Sequence, residues 1–306
     1  MDVIDAQIHS WLSDRPRRPW DPGYRAAHRD KLSYLLHAGQ TNSTEMVLTE
    51  MAEVGVDRAV LSPIGVYGND NSYELEGAAT YPTKFGVVGW IDYRADDVEQ
   101  QLAGLLAQGV LGLRIPDLRD DARHERGQFD RVLAACSDLK CTISLSISHP
   151  ISKRLLAALA HYADLNFVID HLGTGIAPPV LGNLPPDPFE HLPAVLGLAR
   201  LKNVHVKLTG APALSRELFP FRDIWQPIHR ILEAFGPSRV MWGSDYTRTS
   251  GLYSYWDGTH YLHEITGIDA ADLALLYGGT LRRVFGWPSS TLAPTEDRDR
   301  RTRNAE

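Results

Sequence analysis

The chain has 306 residues, of which 43% are apolar and 23% are charged, and its formal net charge at pH 7 is −7. This composition is typical of a globular protein with a large buried core, and the negative charge gives no support for a nucleic-acid partner. The length exceeds that of a minimal domain and suits one large α/β barrel with insertions.

Eight short apolar runs recur along the chain, and each is typical of a strand buried on both faces of a parallel sheet. In chain order they cover residues 3–8, 59–64, 85–91, 110–115, 142–147, 166–169, 204–208 and 240–242. Amphipathic segments with helical spacing lie between them, as in the stripe of Leu48, Met51 and Ala52. Gly55 follows this stripe and precedes the next strand, which is where helices commonly stop.

Eight strands alternating with helices predict a single-domain (β/α)₈ barrel, or TIM barrel, over residues 1–288 rather than an open doubly wound sheet. No phosphate-binding glycine motif follows the first strand, which also disfavours a dinucleotide-binding fold. Residues 15–24 and 176–188 are rich in proline and are predicted to be long loops, the first of them over the barrel mouth. Residues 289–306 are polar and highly charged, and they are predicted to be a disordered tail.

The two cysteines, Cys136 and Cys141, lack the spacing of a zinc ribbon or a redox pair, so a disulfide framework is not expected. The N-terminus has no basic region followed by an apolar run and is not predicted to be a signal peptide. No apolar stretch approaches the roughly 18 residues that a membrane helix requires. We therefore expect a cytoplasmic protein that has no membrane partner.

Polar residues stand where several predicted strands end, and catalytic groups of such barrels sit at the C-terminal ends of the strands. The first strand ends in Gln7 and His9, which alternation places on one face, the sixth ends at His171, and the eighth runs into Asp245. Imidazole and carboxylate groups are the usual ligands of a catalytic zinc, which activates water. An aspartate beside that water can act as general base. We therefore predict that His171 and Asp245 are catalytic.

Three cations are predicted near the same rim. Arg114 ends the fourth strand, Lys207 lies on the seventh, and Arg248 follows the eighth. Such groups bind an anionic substrate or stabilise the oxyanion that forms when water attacks a carbonyl. We predict that Lys207 is catalytic and that Arg114 and Arg248 bind substrate. The alternatives are an internal ion pair for Arg114 and Lys207 and a solvated loop position for Arg248.

Further substrate contacts are predicted at Gln7 and at His149, which follows the fifth strand. Aromatic residues also cluster in the predicted loops over the barrel: Trp11, Trp20, Tyr24, Tyr67, Tyr73, Tyr246, Tyr253, Tyr255 and Trp256. Trp11 and Tyr246 are predicted to line the substrate pocket because each is close in sequence to a predicted site residue. Ordinary packing of loops on the barrel is the alternative for each aromatic residue.

Seven segments follow one another in the chain as IDAQIHSW (4–11), DNSYELEGAATYPTKFGVVGWID (70–92), GLR (112–114), FVIDHLG (167–173), NVHVKLTG (203–210), RVMWGSDYT (239–247) and LYGGTLRRVFGW (276–287). Together they resemble the amidohydrolase-related family, in particular its branch of sugar- and aromatic-acid lactonases. The resemblance implies a (β/α)₈ barrel and hydrolysis of a C–O or C–N bond. It maps the family's strand-one histidine pair to Gln7 and His9, its strand-six histidine to His171 and its strand-eight aspartate to Asp245.

Gln7 departs from the His-x-His pattern that is usual in this family. An amide oxygen is a poorer zinc ligand than an imidazole nitrogen. The resemblance therefore leaves two alternatives open. Either His9, His171 and Asp245 hold a divalent Zn²⁺ or Mn²⁺, with His149 as a reserve ligand, or no metal binds and Asp245 activates water unaided.

The sequence thus predicts a hydrolase, namely a lactonase that opens a small carboxylated or sugar-derived lactone by attack of water activated by Asp245. One alternative is a non-oxidative decarboxylase of an aromatic acid, which is a lyase known among similar proteins. Another is a barrel that binds a small molecule without turning it over. The expected partner is a small anionic substrate, and the chain can also be a homo-oligomer.

Overall fold

A computed structural model of the chain describes residues 2–93, 95–115, 128–176 and 184–288. Eight parallel strands, each paired with the next in chain order, form the wall of a barrel. They are β1 (Ile4–Ile8), β2 (Arg58–Leu61), β3 (Phe85–Gly89), β4 (Gly112–Ile115), β5 (Thr142–Leu145), β6 (Phe167–Ile169), β7 (Val204–Lys207) and β8 (Val240–Met241). The predicted (β/α)₈ barrel is confirmed. Each strand is shorter than the apolar run that predicted it, because the ends of these runs continue into the loops.

Backbone hydrogen bonds draw β1 against the segment that follows β8. The Ala6 N–H donates to the Trp242 carbonyl over 3.2 Å, and the Asp245 N–H donates to the Gln7 carbonyl over 3.0 Å. These bonds bring the two ends of the sheet together and nearly close the barrel. They also place the chain after β8 beside the C-terminal end of β1, where the predicted site residues lie.

Helices connect the strands. They are α1 (Pro22–His28), α2 (Leu32–Gly39), α3 (Thr44–Val54), α4 (Ser72–Thr80), α5 (Val98–Ala107), α6 (Gln128–Asp138), α7 (Lys153–His161), α8 (Leu192–Leu196), α9 (Trp225–Phe235), α10 (Tyr246–Thr249), α11 (Tyr255–Glu264), α12 (Ala270–Ala274) and α13 (Thr280–Phe285). None of these described helices is both long and apolar enough to cross a membrane.

Helix α3 begins with a side-chain cap and ends at the predicted Gly55. The Ser43 side chain accepts a hydrogen bond from the Met46 N–H and satisfies one of the free donors of the first turn. The helix ends at Gly55, whose φ of 77° lies in the left-handed region that glycine adopts without strain. The chain then turns directly into β2.

The first predicted loop, residues 15–24, is partly helical. Residues 15–24 run into α1, which begins at Pro22 because the Asp21 side chain caps the Tyr24 N–H over 2.6 Å. Trp20 and Tyr24 pack there with Trp11 in a small buried cluster. Residues 177–183 of the second predicted loop, and the predicted tail at 289–306, lie outside the described residues.

An irregularity in β1 shapes the interior of the barrel. The pairing register between β1 and β2 shifts between Asp5 and Ile8. Ala6 packs in an apolar cluster that also contains Val60, Val88, Val168, Met241, Leu281 and Phe285. The next residue, Gln7, contacts Lys207 on β7, although strict alternation would place neighbouring residues on opposite faces. The barrel therefore has an apolar interior that gives way to a polar layer.

Candidate active site

His9 and Asp245 form a buried pair at the C-terminal ends of β1 and β8. The Nε2 atom of His9 lies 2.8 Å from Oδ1 of Asp245, and its Nδ1 atom lies 2.5 Å from the carbonyl oxygen of Ser62. An acceptor oxygen thus faces each ring nitrogen. A neutral ring has a single N–H and can donate to only one of these oxygens, and burial lowers the pKa of His9, which disfavours the ring protonated on both nitrogens.

Asp245 keeps one carboxylate oxygen free. Its Oδ1 also accepts a hydrogen bond from the Gln7 amide over 3.2 Å, whereas Oδ2 has no hydrogen-bond partner among the described residues. The nearest cation to Oδ2 is Arg248, whose Nη1 atom is 3.9 Å away. Burial alone raises the pKa of this carboxyl group, but Arg248 and the bond with His9 outweigh burial and hold the pKa below its usual range. Asp245 is therefore ionised at neutral pH.

His171 presents a free nitrogen to the same region. Its Nδ1 atom lies 3.2 Å from the Thr209 carbonyl, to which it donates its proton, so Nε2 carries the lone pair. Nε2 is buried and has no hydrogen-bond partner within the described part of the chain. Burial lowers the pKa of His171 to about 4, and the nearby charge of Asp245 opposes this only in part. The ring is therefore neutral at pH 7 and can accept a proton.

Both residues have an unusual backbone. The φ angles are 51° at His171 and 56° at Asp245, in the left-handed region that side chains with a Cβ rarely adopt. Such strain persists only where the surrounding structure fixes it, and it recurs at functional sites. Each residue follows a short strand, so the sharp turn sets the direction of its side chain at the barrel rim.

The donor chemistry of this group suits a divalent ion. The Nδ1 atoms of His9 and His171 are each held by a backbone carbonyl, which is how metal-binding imidazoles are commonly oriented. Asp245 adds a carboxylate with a free oxygen. The side chains are not yet arranged as a ligand set, because no three His, Cys, Asp or Glu residues within the described ranges surround a common point.

Lys207 lies behind Asp245 in a second polar network. Its Nζ atom is 2.7 Å from Oγ of Ser144, 3.0 Å from Oδ1 of Asp170 and 3.3 Å from Oε1 of Gln7. The three protons of the ammonium group therefore each have an acceptor. Gln7 links this network to Asp245, so the amide that replaces the family's first histidine orients the carboxylate.

Arg114 joins the same network from β4. Its Nε atom donates to Oδ2 of Asp170 over 2.8 Å, and Ser144 donates to Oδ1 over 2.6 Å. Burial raises the pKa of Asp170, but Lys207 and Arg114 outweigh it, and the pKa falls well below its usual range. The structure thus contains the internal ion pair that the sequence left open for Arg114 and Lys207.

A cavity of about 180 Å³ opens beside these networks. Its lining includes His171, Arg114 and Arg248, together with Tyr24, His37 and Trp90. The structure therefore brings three of the predicted site residues to one cavity. Gln7, His9 and Asp245 form the buried layer next to the cavity. Asp245 is connected to the cavity wall by its 3.9 Å contact with Arg248, which lines the cavity.

Two predicted pocket residues lie elsewhere. Trp11 is fully buried, and its Nε1–H donates to the carbonyls of His37 and Gln40, so its ring supports α2 instead of facing a substrate. Tyr246 stacks on Tyr255 with ring centroids 4.2 Å apart, and its hydroxyl group faces Glu50. Neighbouring residues in sequence point to different sides of a turn, which is why adjacency was a poor guide here.

His149 also lies apart from Asp245. Its ring stacks on His191 with a centroid distance of 4.3 Å, and its Nε2 atom lies 2.6 Å from the Gly173 carbonyl. Both histidines line a separate cavity beside the segment that follows β6. The structure therefore does not bring His149 together with the other candidate ligands.

His37 and Trp90 also line the cavity, although neither was predicted from the sequence. Trp90 directly follows β3, so the rule that functional residues stand at strand ends could have found it. His37 lies on α2 within the insertion after β1, where no strand end marks it. Only the packing of that insertion against the barrel brings His37 to the cavity.

Comparison with known proteins finds similarity to one family along nearly the whole barrel. A family model described as amidohydrolase matches residues 4–287. The chain is 29% identical to a 4-sulfomuconolactone hydrolase of Hydrogenophaga intermedia over 201 residues, which cover 64% of this chain and 62% of that protein. That match therefore spans less than two thirds of the relative's length. An L-fucono-1,5-lactonase of Burkholderia ambifaria is 30% identical over 253 residues, with 79% of both chains covered.

The fold is also similar to solved structures. An amidohydrolase of Burkholderia multivorans, crystallised with bound zinc, superimposes with a TM-score of 0.76 at 22% identity, covering 94% of this chain and 100% of that one. At this identity the similarity shows the barrel fold. The zinc belongs to that protein.

Proposed function

The chain belongs to the amidohydrolase family, and on that premise we propose that it is a lactonase, which hydrolyses the ester bond of a small lactone ring. One observation carries the proposal: two buried acceptors of the same site, Oδ2 of Asp245 and Nε2 of His171, have no hydrogen-bond partner among the residues that the structure describes. The names of the two similar enzymes, both lactone hydrolases, support the same reaction class.

In the proposed reaction, a water molecule donates one hydrogen bond to Oδ2 of Asp245 and one to Nε2 of His171, which leaves an oxygen lone pair free to attack. Asp245 takes one proton as general base, and the resulting hydroxide adds to the lactone carbonyl carbon. Arg248 lines the cavity beside Asp245, and its Nε–H has no partner among the described residues, so it is placed to stabilise the oxyanion.

Ring opening then completes the proton balance. The tetrahedral intermediate collapses, the C–O bond of the ring breaks, and the alkoxide takes the proton from Asp245. The low pKa of Asp245 favours this second transfer, because a strong acid releases its proton readily to a basic leaving group. We propose that Lys207, whose protons are all engaged, acts indirectly by holding Gln7, which in turn orients Asp245.

The first experiment measures ester hydrolysis over a panel of carboxylated and neutral lactones with a pH indicator. We expect Asp245→Asn to lower kcat/KM at least about 100-fold, the usual contribution of a general base. Glu99→Gln makes the same carboxylate-to-amide change on the surface of α5 and is expected to keep full activity. Full activity of Asp245→Asn would reject the assigned base. Release of CO₂ from an aromatic acid, without lactone opening, would favour the decarboxylase alternative.

The pH dependence of the reaction gives a second test. His171 must be neutral to accept a hydrogen bond from the attacking water, and burial lowers its pKa to about 4. The protonated form gains population as the pH falls through this value, so we expect kcat/KM to be constant from pH 7 to about 5 and to fall below that. A fall centred between pH 6 and 7 would show that an ordinary, exposed histidine limits the reaction.

We further propose that His9, His171 and Asp245 hold a divalent ion, Zn²⁺ or Mn²⁺. Such an ion would lower the pKa of a bound water. Metal analysis of the purified protein, with activity measured before and after chelation, tests this proposal. About one equivalent of metal, lost together with activity in His9→Asn, is the expected result; full activity without metal would refute it.

We also propose that the protein works in the cytoplasm. Cys136 and Cys141 are free thiols buried in the core, which suits a reducing compartment. Fractionation of cells that produce the full-length protein would test this location.

A further inference from the structure

Three buried nitrogen atoms in the wall of the 180 Å³ cavity have no hydrogen-bond partner in the part of the chain that the structure describes. Besides Arg248 Nε, they are Nε1 of Trp90 and Nε2 of His37, neither of which has a hydrogen-bond partner within the described ranges. Buried polar groups are nearly always hydrogen-bonded in folded proteins, because leaving one unpaired costs stability. Trp90 and His37 have no part in the proposed reaction, so their free nitrogens require a separate explanation.

The tautomer of His37 follows from its neighbour. The Tyr24 hydroxyl oxygen lies 2.8 Å from Nδ1 of His37, and burial raises the pKa of Tyr24 to about 12, so the hydroxyl keeps its proton. Burial also lowers the pKa of His37 to about 3, so the ring is neutral and carries one proton. Tyr24 donates to Nδ1, and the ring proton therefore sits on Nε2. His37 thus offers an N–H donor to the cavity.

The position of Trp90 is fixed by hydrogen bonds to its backbone, as that of the His37 ring is fixed by Tyr24. Its backbone N–H donates to Oδ1 of Asn71 over 2.7 Å, and its carbonyl accepts from Nδ2 of the same side chain over 2.8 Å. The Arg114 guanidinium lies 5.9 Å from the centre of its ring. The indole N–H is therefore a fixed donor beside a positive charge.

Gly65 shows that the two donors share one wall. A Cβ atom on Gly65 would lie 3.1 Å from the Trp90 ring and 3.5 Å from the Tyr24 ring, so the two rings flank this residue. Tyr24 in turn contacts His37. Trp90, Tyr24 and His37 are thus contiguous around the backbone of Gly65, whose φ of 84° is one that glycine adopts readily.

The chemistry of this wall selects its ligand. Trp90 and His37 both donate, and Arg114 adds positive charge. The carboxylate of Asp170 also reaches the cavity, but both of its oxygens are already bonded to Arg114, Ser144 and Lys207. A neutral polyol would bring hydroxyl protons that need acceptors, whereas a carboxylate or sulfonate brings only acceptor oxygens.

We propose that Trp90, His37 and Arg114 form an oxyanion-binding subsite, which holds a carboxylate or sulfonate substituent of the substrate. The subsite is separate from the carbonyl that is attacked beside Asp245 and His171. The inference rests on the proposed lactonase function, and it names the substrate class as a lactone that carries an anionic group. It also assigns roles to two residues that have none in the reaction itself.

The test measures binding without turnover. Isothermal titration calorimetry compares benzoate, benzenesulfonate and neutral benzamide, which have similar shapes and cannot be hydrolysed as lactones. We expect at least one anion to bind about tenfold or more tightly than benzamide, and the stronger of the two identifies the preferred oxyanion. Equal affinity for all three compounds would overturn the subsite.

Two variants remove one donor each. Trp90→Phe and His37→Phe keep a ring but lose the N–H group, and each is expected to weaken binding of the preferred anion about tenfold while benzamide binding changes less than about threefold. His37→Asn restores an N–H donor and should recover part of the affinity. Trp256→Phe, on the surface of α11, is the matched control and should bind as the wild type does. Equal weakening of the anion and benzamide by Trp90→Phe would show a packing role only and overturn the proposal.

The same measurements separate the two proposals. If Asp245→Asn still binds the anion but the wild type opens no lactone, the subsite stands and the lactonase function fails. If the wild type opens lactones with equal KM for carboxylated and neutral rings, the function stands and the subsite is refuted.

Discussion

Two polar regions meet at the mouth of this barrel, and they differ in how completely their groups are paired. In the inner network, Lys207, Asp170, Ser144 and Arg114 satisfy one another with contacts of 2.6–3.0 Å. In the cavity wall and at Asp245 next to it, by contrast, buried nitrogen or oxygen atoms have no partner among the described residues: those of Trp90, His37, His171, Arg248 and Asp245. Both regions are shielded from water, so burial alone does not explain the difference.

This difference in pairing suggests different roles for the two regions. A buried charge network whose members are all paired fixes the geometry of the strands that carry it. An unpaired buried group costs about 1–3 kcal/mol of stability and persists where binding of another molecule compensates for it. On our proposals, the inner network supports the site, whereas the unpaired groups of the cavity wall, together with Arg114, recognise the ligand.

The largest expected effect comes from breaking the inner network. Lys207→Met leaves the buried carboxylate of Asp170 with one cation in place of two, and we expect a loss of about 3–5 kcal/mol in the free energy of unfolding. Guanidinium-induced unfolding, followed by fluorescence, measures it. Arg131→Ala, which removes an exposed ion pair with Glu99, is the control and should cost less than about 1 kcal/mol.

This variant also tests the catalytic role that the sequence assigned to Lys207. Wild-type stability combined with a collapse of kcat would mean that Lys207 acts on the substrate directly, contrary to the division between the two regions. A large loss of stability with only a partial fall in kcat of the folded fraction would support the indirect role, in which Lys207 holds Gln7 and Gln7 orients Asp245.

Glu74 is an intermediate case, because it is a buried and partly unpaired group outside the cavity. Its Oε2 atom has no partner among the described residues, and burial raises its pKa to about 8. A buried carboxyl group avoids burying a charge by keeping its proton. A buried indole N–H is already neutral, so it has no comparable way to lower the free-energy cost of lacking a partner. The native state therefore binds a proton that the unfolded chain releases between about pH 4.5 and 8, so Glu74 makes the fold less stable as the pH rises through this range.

We accordingly expect Glu74→Gln to stabilise the protein at pH 8 by on the order of 2–3 kcal/mol, and to have little effect at pH 4.5. Unfolding free energies measured at several pH values would test the slope. A gain that is the same at every pH would show that the carboxyl group titrates alike in the folded and unfolded chains, and it would contradict the assigned pKa shift.

The sequence predicts the barrel well because its signals are local. Strands buried on both faces appear as short apolar runs, and all eight are found in the structure. His9, His171 and Asp245 could be predicted because strand ends converge on one rim whatever the loops do. Gln7 and Lys207 were predicted near the same rim, but their contact with each other was not, because the register in β1 shifts between Asp5 and Ile8 and the sequence does not record that shift.

The cavity wall was less accessible to sequence reasoning. His37 reaches the cavity only through the packing of α1 and α2, where Trp11 holds its backbone and Tyr24 its ring. No periodic pattern records such a contact. Tyr246 was chosen for its closeness to Asp245 in the chain, but the left-handed turn at Asp245 sends the two side chains to different surroundings.

Tyr246 gives the smallest expected effect and the sharpest test of that correction. Tyr246→Phe removes a 3.4 Å hydrogen bond to Glu50 and keeps the ring stacked on Tyr255, so stability should change by less than about 1 kcal/mol. Steady-state kinetics should show kcat/KM within about twofold of the wild type, whereas Trp90→Phe, with a similar loss of one donor, should raise KM for an anionic lactone. A tenfold fall in kcat/KM for Tyr246→Phe would contradict this correction. It would mean that the Tyr246 hydroxyl contacts the substrate, because the loss of its bond to Glu50 alone should leave the reaction unchanged.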